Sequence, residues 1–162
     1  QSVHLAGSKA SLLIAAFERA FAGDEGPHSL SERPAMAEIM GRPDVAEALS
    51  GWLDFVADAN RRTARISRAM AVAADVDPLA AEVVADLERR RRRDMRIAAE
   101  WAASRGLVAE AGVDRAADEL SHLVGPETYD FFVLRAQWPD AEYRRWLTAS
   151  LDDLLARWRR HS

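Results

Sequence analysis

The C-terminal run from Gly125 to Arg157, GPETYDFFVLRAQWPDAEYRRWLTASLDDLLAR, constrains the fold more than any other stretch of the chain. From Tyr143 onward the apolar residues fall at Tyr143, Trp146, Leu147, Leu151, Leu154, Leu155 and Trp158, the three-and-four spacing that gathers side chains on one stripe of a helix. Asp140 after Pro139 places acidic charge at the helix start, and Arg157, Arg159 and Arg160 place positive charge at its end, both matching the helix macrodipole. Before it, Tyr129, Phe131, Phe132, Val133 and Leu134 form a second apolar segment, closed by Gln137, Trp138 and Pro139. Two antiparallel helices with this much aromatic and aliphatic bulk must dock on a core, on a partner, or on both.

The rest of the chain has helical spacing too, with no repeats, strand-like alternation or long linker, so the expected fold class is all-α, a helical bundle. A first helix is expected from about Ser8 to Ala22, with Leu12, Leu13, Ala16, Phe17, Ala20 and Phe21 inward and a stop at Gly23. Gly26 and Pro27 mark Gly23 to Pro34 as a loop. A short helix from Ala35 to Met40 is broken by Gly41 and Pro43, and a long pattern from Asp44 to about Asp75 has room for a bend near Asn60 to Arg62. Asp77 and Pro78 open another helix that ends at Gly106. The last body helix begins near Asp114 and is interrupted at Gly125 and Pro126.

At 162 residues the chain can bury one substantial core, and 49% hydrophobic with 30% charged residues is ordinary for a soluble globular protein. There is no cysteine, which removes disulfides, thiolate nucleophiles and cysteine-based metal sites. No uninterrupted apolar run approaches the roughly 20 residues a membrane span needs, and no basic-then-apolar secretion signal opens the chain. A cytoplasmic protein with no membrane partner is the expectation. A single lysine stands against 21 arginines, and the net charge of −4 argues against these residues holding DNA by electrostatics alone.

Enzyme motifs are missing: no Gly-rich phosphate loop, no nucleophile elbow, no paired histidines at metal-ligand spacing. His122 lies on the polar side of its helix, and the adjacent Asp152 and Asp153 diverge by about 100°. No catalytic residue, metal or cofactor is expected. The Arg89 to Arg93 block sweeps around the whole helix cylinder and cannot form one basic stripe. Asp86 four residues before Arg90 and Glu88 four before Arg92 read as exposed ion pairs of a few tenths of a kcal/mol each, on the order usual for helix surfaces.

Two charges of that helix are different. On a wheel of about 100° per residue, Val83, Val84, Leu87, Met95, Ala98, Trp101 and Ala102 share one arc, and Arg91 and Asp94 fall inside it. Two readings are open: a structural salt bridge at the edge of the core, or two polar groups lining a ligand cavity. The neighbouring long helix aligns Val45, Leu49, Trp52, Val56, Ala59, Thr63, Met70 and Ala74, with Asn60 and Ser67 at the edge. Such a lining suits either plain core or a small-molecule site with a few placed polar groups.

The PE-x-Y-x-hydrophobic segment, the short Trp-Pro loop and the aromatic-rich terminal helix together resemble the last two helices of the TetR-like (tetracycline-repressor-like) transcriptional regulators. The opening SVHLAGSKASLL is similar to the end of that family's DNA-recognition helix and the start of the helix joining head to body, although Ala6 stands where an aromatic is usual. The resemblance implies that residues 1–8 are the remnant of a helix-turn-helix head and residues 9–162 a ligand-binding and dimerisation body. It implies a homodimer through the last two helices, with Tyr129, Phe132, Tyr143, Trp146, Leu147, Leu151 and Leu154 at the interface. It implies operator DNA held by the head, to which Ser2, His4 and Lys9 would contribute phosphate donors around a Gly-Ser turn. And it implies a small-molecule effector in the body, near Trp52, Val56, Asn60, Met70, Arg91, Asp94, Met95 and Trp101, coupled to the first helix through Phe17 and Phe21. The expected function is that of a transcriptional repressor released by an effector. The alternative is a helical dimerisation or adaptor protein with no effector site, whose apolar stripes are simply core. For the interface itself the alternative is a monomer, with Phe131, Phe132, Trp146 and Trp158 buried within one subunit.

Overall fold

Local signals in the chain account for most helix ends. In the computed structural model the described residues are 2–22 and 33–161, with the side chains of residues 2–8, 10, 21 and 22 outside the description. Among them α1 spans Ser2–Ala22, α2 Pro34–Met40, α3 Val45–Ala74, α4 Pro78–Ser104, α5 Val113–Leu123, α6 Pro126–Tyr129 and α7 Asp140–Arg160, with no strand. Asp44 caps α3 by accepting a hydrogen bond from the Glu47 amide at 3.1 Å. Asp77 caps α4 by accepting from Leu79 and Ala80 at 2.8 and 3.2 Å, with Pro78 in the first turn. Such caps satisfy amides that have no partner inside the helix. At the other end of α4, Gly106 takes φ +74°, and the Leu107 and Gly106 amides donate back to the Ala102 and Ala103 carbonyls at 2.9 and 3.0 Å. That left-handed closure is what glycine permits without strain.

α3 runs unbroken through Asn60 to Arg62, where a bend had room to form. α1 also departs from expectation: it starts at Ser2 and continues through Gly7 and Ser8 as one helix, with no turn at the Gly-Ser pair. The loop expected from Gly23 to Pro34 lies outside the described residues up to position 32; Pro34 itself opens α2. The segment after α6 is not a second α-helix but a wide π turn, Asp130–Arg135, with the Ala136 amide donating to the Phe131 carbonyl five residues back at 2.8 Å. Gln137 at φ 60° then reverses the chain, and the Trp138 amide donates to the Phe132 carbonyl at 2.8 Å.

α3 is the central element, packed by α1, α2, α4, α6 and α7, while α5 lies between α4 and α7. The main core joins Trp52, Leu53 and Val56 of α3, Met95, Ala98 and Ala102 of α4, Leu120 and Leu123 of α5, and the α7 stripe. A second, smaller cluster unites Phe17 of α1, Met70 of α3 and Ala80 of α4. α7 is tied to α3 by Arg144, whose guanidinium contacts Asp54, Asp58 and Asp140 at 3.2, 2.5 and 2.7 Å. Trp158 closes the far end by donating its indole N–H to Glu119 of α5 at 3.3 Å.

Candidate functional site

The charged pair on the apolar arc of α4 meets α3 and the α5–α6 corner across a small chamber. Its volume is about 60 Å³, with walls of Val56, Ala59, Asn60, Thr63 and Ser67 from α3, Leu87, Arg90, Arg91, Asp94 and Met95 from α4, and Val124 and Pro126 at the corner. A second chamber of about 190 Å³ lies farther along the same two helices, bounded by Met36, Met40, Trp52, Asp94, Met95, Ile97 and Trp101. Val56, Asp94 and Met95 line both, so these three side chains stand between the chambers.

Four polar groups of the first chamber, on Asn60, Thr63, Arg90 and Arg91, have defined partners. Asn60 is buried and donates from Nδ2 to the Val124 carbonyl at 2.7 Å, satisfying one of the acceptors left open at the C-terminus of α5. Thr63 donates back to the Ala59 carbonyl at 2.8 Å. Arg90 is committed to Asp86 at 2.5 Å. Arg91 is not held so closely: its ion pair is with Glu127 at 3.8 Å, and the Arg91 side chain is 27% exposed while that of Glu127 is 82% exposed. Burial pulls the Arg91 pKa down, opposed by the nearby Glu127 and Glu88 carboxylates, so the guanidinium stays charged but poorly solvated. It reaches across Gly125, where a Cβ would sit 2.6 Å from Glu127 Oε2 and 3.3 Å from Arg91 Nη2. The fixed neighbour is the Ser121 carbonyl, 3.0 Å from that Cβ position, so a larger residue there would crowd the corner while the two charged side chains could move aside.

The second chamber is built from aromatic and thioether surface. Trp101 is fixed in its wall by donating its indole N–H to the Met40 carbonyl at 2.8 Å. Arg105 stacks 5.1 Å above the same ring and donates to the Met40, Arg42 and Pro43 carbonyls. The end of α4 thereby pins the α2–α3 connection beside the chamber.

Of the residues singled out in the sequence, Trp52, Val56, Asn60, Arg91, Asp94, Met95 and Trp101 all line one or both chambers. Met70 does not; it is 1% exposed in the second cluster with Phe17. Arg91 pairs with Glu127 of α6 rather than serving as the i,i+3 partner of Asp94 that its spacing allowed. Phe17 lies in the second cluster rather than against either chamber, and the Phe21 side chain is outside the described residues. Leu87 links the two regions, packing on the Phe17 cluster and lining the first chamber. The sequence reading omitted it as a site residue, along with Thr63 and Ser67, although all were on the helical stripes. At the corner, the Val124 backbone carbonyl accepts from Asn60, a contact that no side-chain pattern reveals.

The residues assigned to a dimer interface divide. Tyr129, Tyr143, Leu147, Leu151 and Leu154 are buried inside the chain's own core, so their surface is already withdrawn from water and is not available to a partner. Phe132 and Trp146 remain half-buried, beside Phe131 at 50% exposure. The ring of Phe132 is 5.2 Å from Phe131, 4.3 Å from Trp138 and 4.5 Å from Trp146, an aromatic cluster reaching the surface at the π turn. For the DNA contacts, Lys9 is exposed, while the Ser2 and His4 side chains lie outside the described residues. His122 is exposed as expected.

Among the described residues no group of three His, Cys, Asp or Glu side chains could hold a metal ion. No described helix is long and apolar enough to cross a membrane. Comparison with protein-family models, with curated proteins and with solved structures returns no match.

Proposed function

We propose that the chain is the effector-sensing body of a dimeric transcriptional regulator, most simply a repressor, acting in the cytoplasm on operator DNA through a helix-turn-helix head joined at α1. The observation that carries this reading is the pair of adjoining chambers between α3 and α4, apolar for most of their surface and supplied with Asn60, Arg91 and Asp94. That composition is typical of small-molecule sites between bundle helices. It is supported by the resemblance of the chain's two ends to TetR-like regulators.

In this mechanism an effector in the first chamber presses on Leu87, which also packs against the cluster holding Phe17 of α1 to α3 and α4. Displacing α1 changes the separation of the two heads and hence their fit to adjacent half-sites. The effector works only to the extent that it prefers the conformation unable to bind DNA, because equal affinity for both would shift nothing. The second copy docks on the surface aromatic cluster of Phe131, Phe132, Trp138 and Trp146, where a large apolar patch left in water is a liability.

The test uses the complete gene product and a DNA fragment from its own upstream region, with salt titrated and mass in solution measured in parallel. Sequence-selective binding by a dimer, relieved by small molecules that also raise the melting temperature, is the expected result. A folded dimer without DNA preference, stabilised by no small molecule, would overturn the reading in favour of a helical adaptor.

A further inference from the structure

The charge balance of the first chamber narrows the chemistry of its ligand. Three charged side chains line it: Arg90, Arg91 and Asp94. Arg90 is neutralised by Asp86 at 2.5 Å on the helix surface. Arg91 has lost most of its solvent, and its Glu127 partner is 3.8 Å away on a side chain that is 82% exposed. A cation taken out of water and offset only by the Glu127 and Glu88 carboxylates, both on exposed side chains, is under-compensated, and a closer anion inside the chamber would gain a charge-assisted, two-pronged hydrogen bond from the guanidinium. A single guanidinium compensates a singly charged carboxylate more fully than a doubly charged head such as a phosphate.

The second chamber supplies the other half of the ligand. Its lining from Met36, Met40, Trp52, Met95 and Trp101 is apolar, and the shared wall includes Met95, an unbranched side chain able to change rotamer.

Resting on the regulator reading above, we propose that the two chambers form one site for a small amphiphilic carboxylate, its monoanionic head paired with Arg91 and its apolar body lying past Met95 against Trp52 and Trp101. The ligand class is thus a singly charged, medium-length acid rather than a cationic drug-like compound or a phosphorylated metabolite. When its head engages, Arg91 exchanges Glu127 for the ligand, and the Gly125 corner is released from that ion pair.

The experiment compares octanoate, octan-1-ol, octylamine and octyl phosphate on the purified protein by thermal shift and calorimetry. Octanoate is expected to bind most tightly and to stabilise the fold, octan-1-ol weakly, and octylamine and octyl phosphate less than octanoate. Arg91→Met should weaken octanoate by roughly tenfold or more, the scale of a desolvated charge pair, while leaving octan-1-ol unchanged. Arg91→Lys should restore part of the preference, and Arg89→Met, on the exposed face of the same helix, should leave it intact. Unfolding of Arg91→Met is recognised by circular dichroism, in which case the Lys variant and the order of the four probes carry the test. Equal binding of octanoate and octan-1-ol, or a preference for octylamine or octyl phosphate, would overturn the carboxylate assignment. A DNA-releasing effector of another chemical class would also overturn it while sparing the regulator reading; loss of selective DNA binding would fail that reading alone, whatever the probes show.

Discussion

The stripes of α7 and α4 have the same helical period and opposite outcomes. On α7, Tyr143, Leu147, Leu151, Leu154, Leu155 and Trp158 are uninterrupted by charge and buried in the main core, which leaves only a crevice of about 20 Å³ beside Leu151, Leu155 and Trp158. On α4, Arg91 and Asp94 interrupt the stripe, and the helix bounds two chambers. Periodicity reports which face is turned inward; a charge within the stripe reports where the inward face fails to close. A buried guanidinium or carboxylate cannot be packed over with aliphatic groups without losing its remaining hydrogen-bond partners, so space persists around it.

The largest effect that should separate the two stripes comes from removing closed-core volume. Leu147 is 1% exposed, and Leu147→Ala should cost about 2–5 kcal/mol in urea unfolding. A cost under about 1 kcal/mol would mean that α7 is not packed as described. Adding volume sharpens the contrast within a single helix. Ala57 is fully buried in the main core, whereas Ala59 lines the first chamber. Ala57→Leu should destabilise by about 1–3 kcal/mol through overpacking, while Ala59→Leu should fall within about 0.5 kcal/mol of the parent and compete with ligand. Equal penalties would erase the distinction between closed core and chamber.

The smallest effect is a matter of pH. The Tyr143 hydroxyl is buried and has no hydrogen-bond partner among the described residues. Burial pushes its pKa up to about 12, and the Asn60 amide nearby, itself donating to Val124 at 2.7 Å, pulls the other way. An unfolded tyrosine ionises near 10, so the unfolded state releases its proton first. The stabilising contribution is complete below pH 10 and is lost as pH climbs toward 12. Tyr143→Phe should be neutral or slightly stabilising at pH 7, within about 1 kcal/mol, because it removes a hydroxyl that pays desolvation without a bond. It should also flatten the alkaline loss of stability seen by circular dichroism; an unchanged alkaline slope would assign that loss to another group.

The helices α2, α3, α4 and α7 were legible in the sequence because their ends carry local chemistry: Asp44 and Asp77 as caps, Pro34 and Pro78 in first turns, Gly106 in a left-handed closure. The π turn was not, since Asp130 to Arg135 have the composition of an α-helix and only the tertiary fit of Phe132 among Trp138 and Trp146 reveals the wider winding. The continuity of α1 through Gly7 was also missed, glycine being discouraged but not forbidden inside a helix. For the site, the stripe positions of Trp52, Val56, Asn60, Arg91, Asp94, Met95 and Trp101 were sufficient to group them. Met70 shares their helical face but sits more than two turns farther along α3, where α1 covers it. Position along a helix axis, unlike position around it, depends on which neighbour packs there, and periodicity does not encode that. The same limit applies to the residues expected at an interface: an apolar stripe is written identically whether its partner is the same chain or another copy.

The four methionines offer the most direct test, because Met36, Met40 and Met95 line the chambers while Met70 belongs to the α1 cluster. Methyl NMR of the protein with labelled methionine would follow these signals as a stabilising small molecule is added. The account predicts that Met95 moves first and furthest, with Met36 and Met40 following and Met70 moving least. A stabilising ligand that shifted Met70 and left Met95 in place would contradict it.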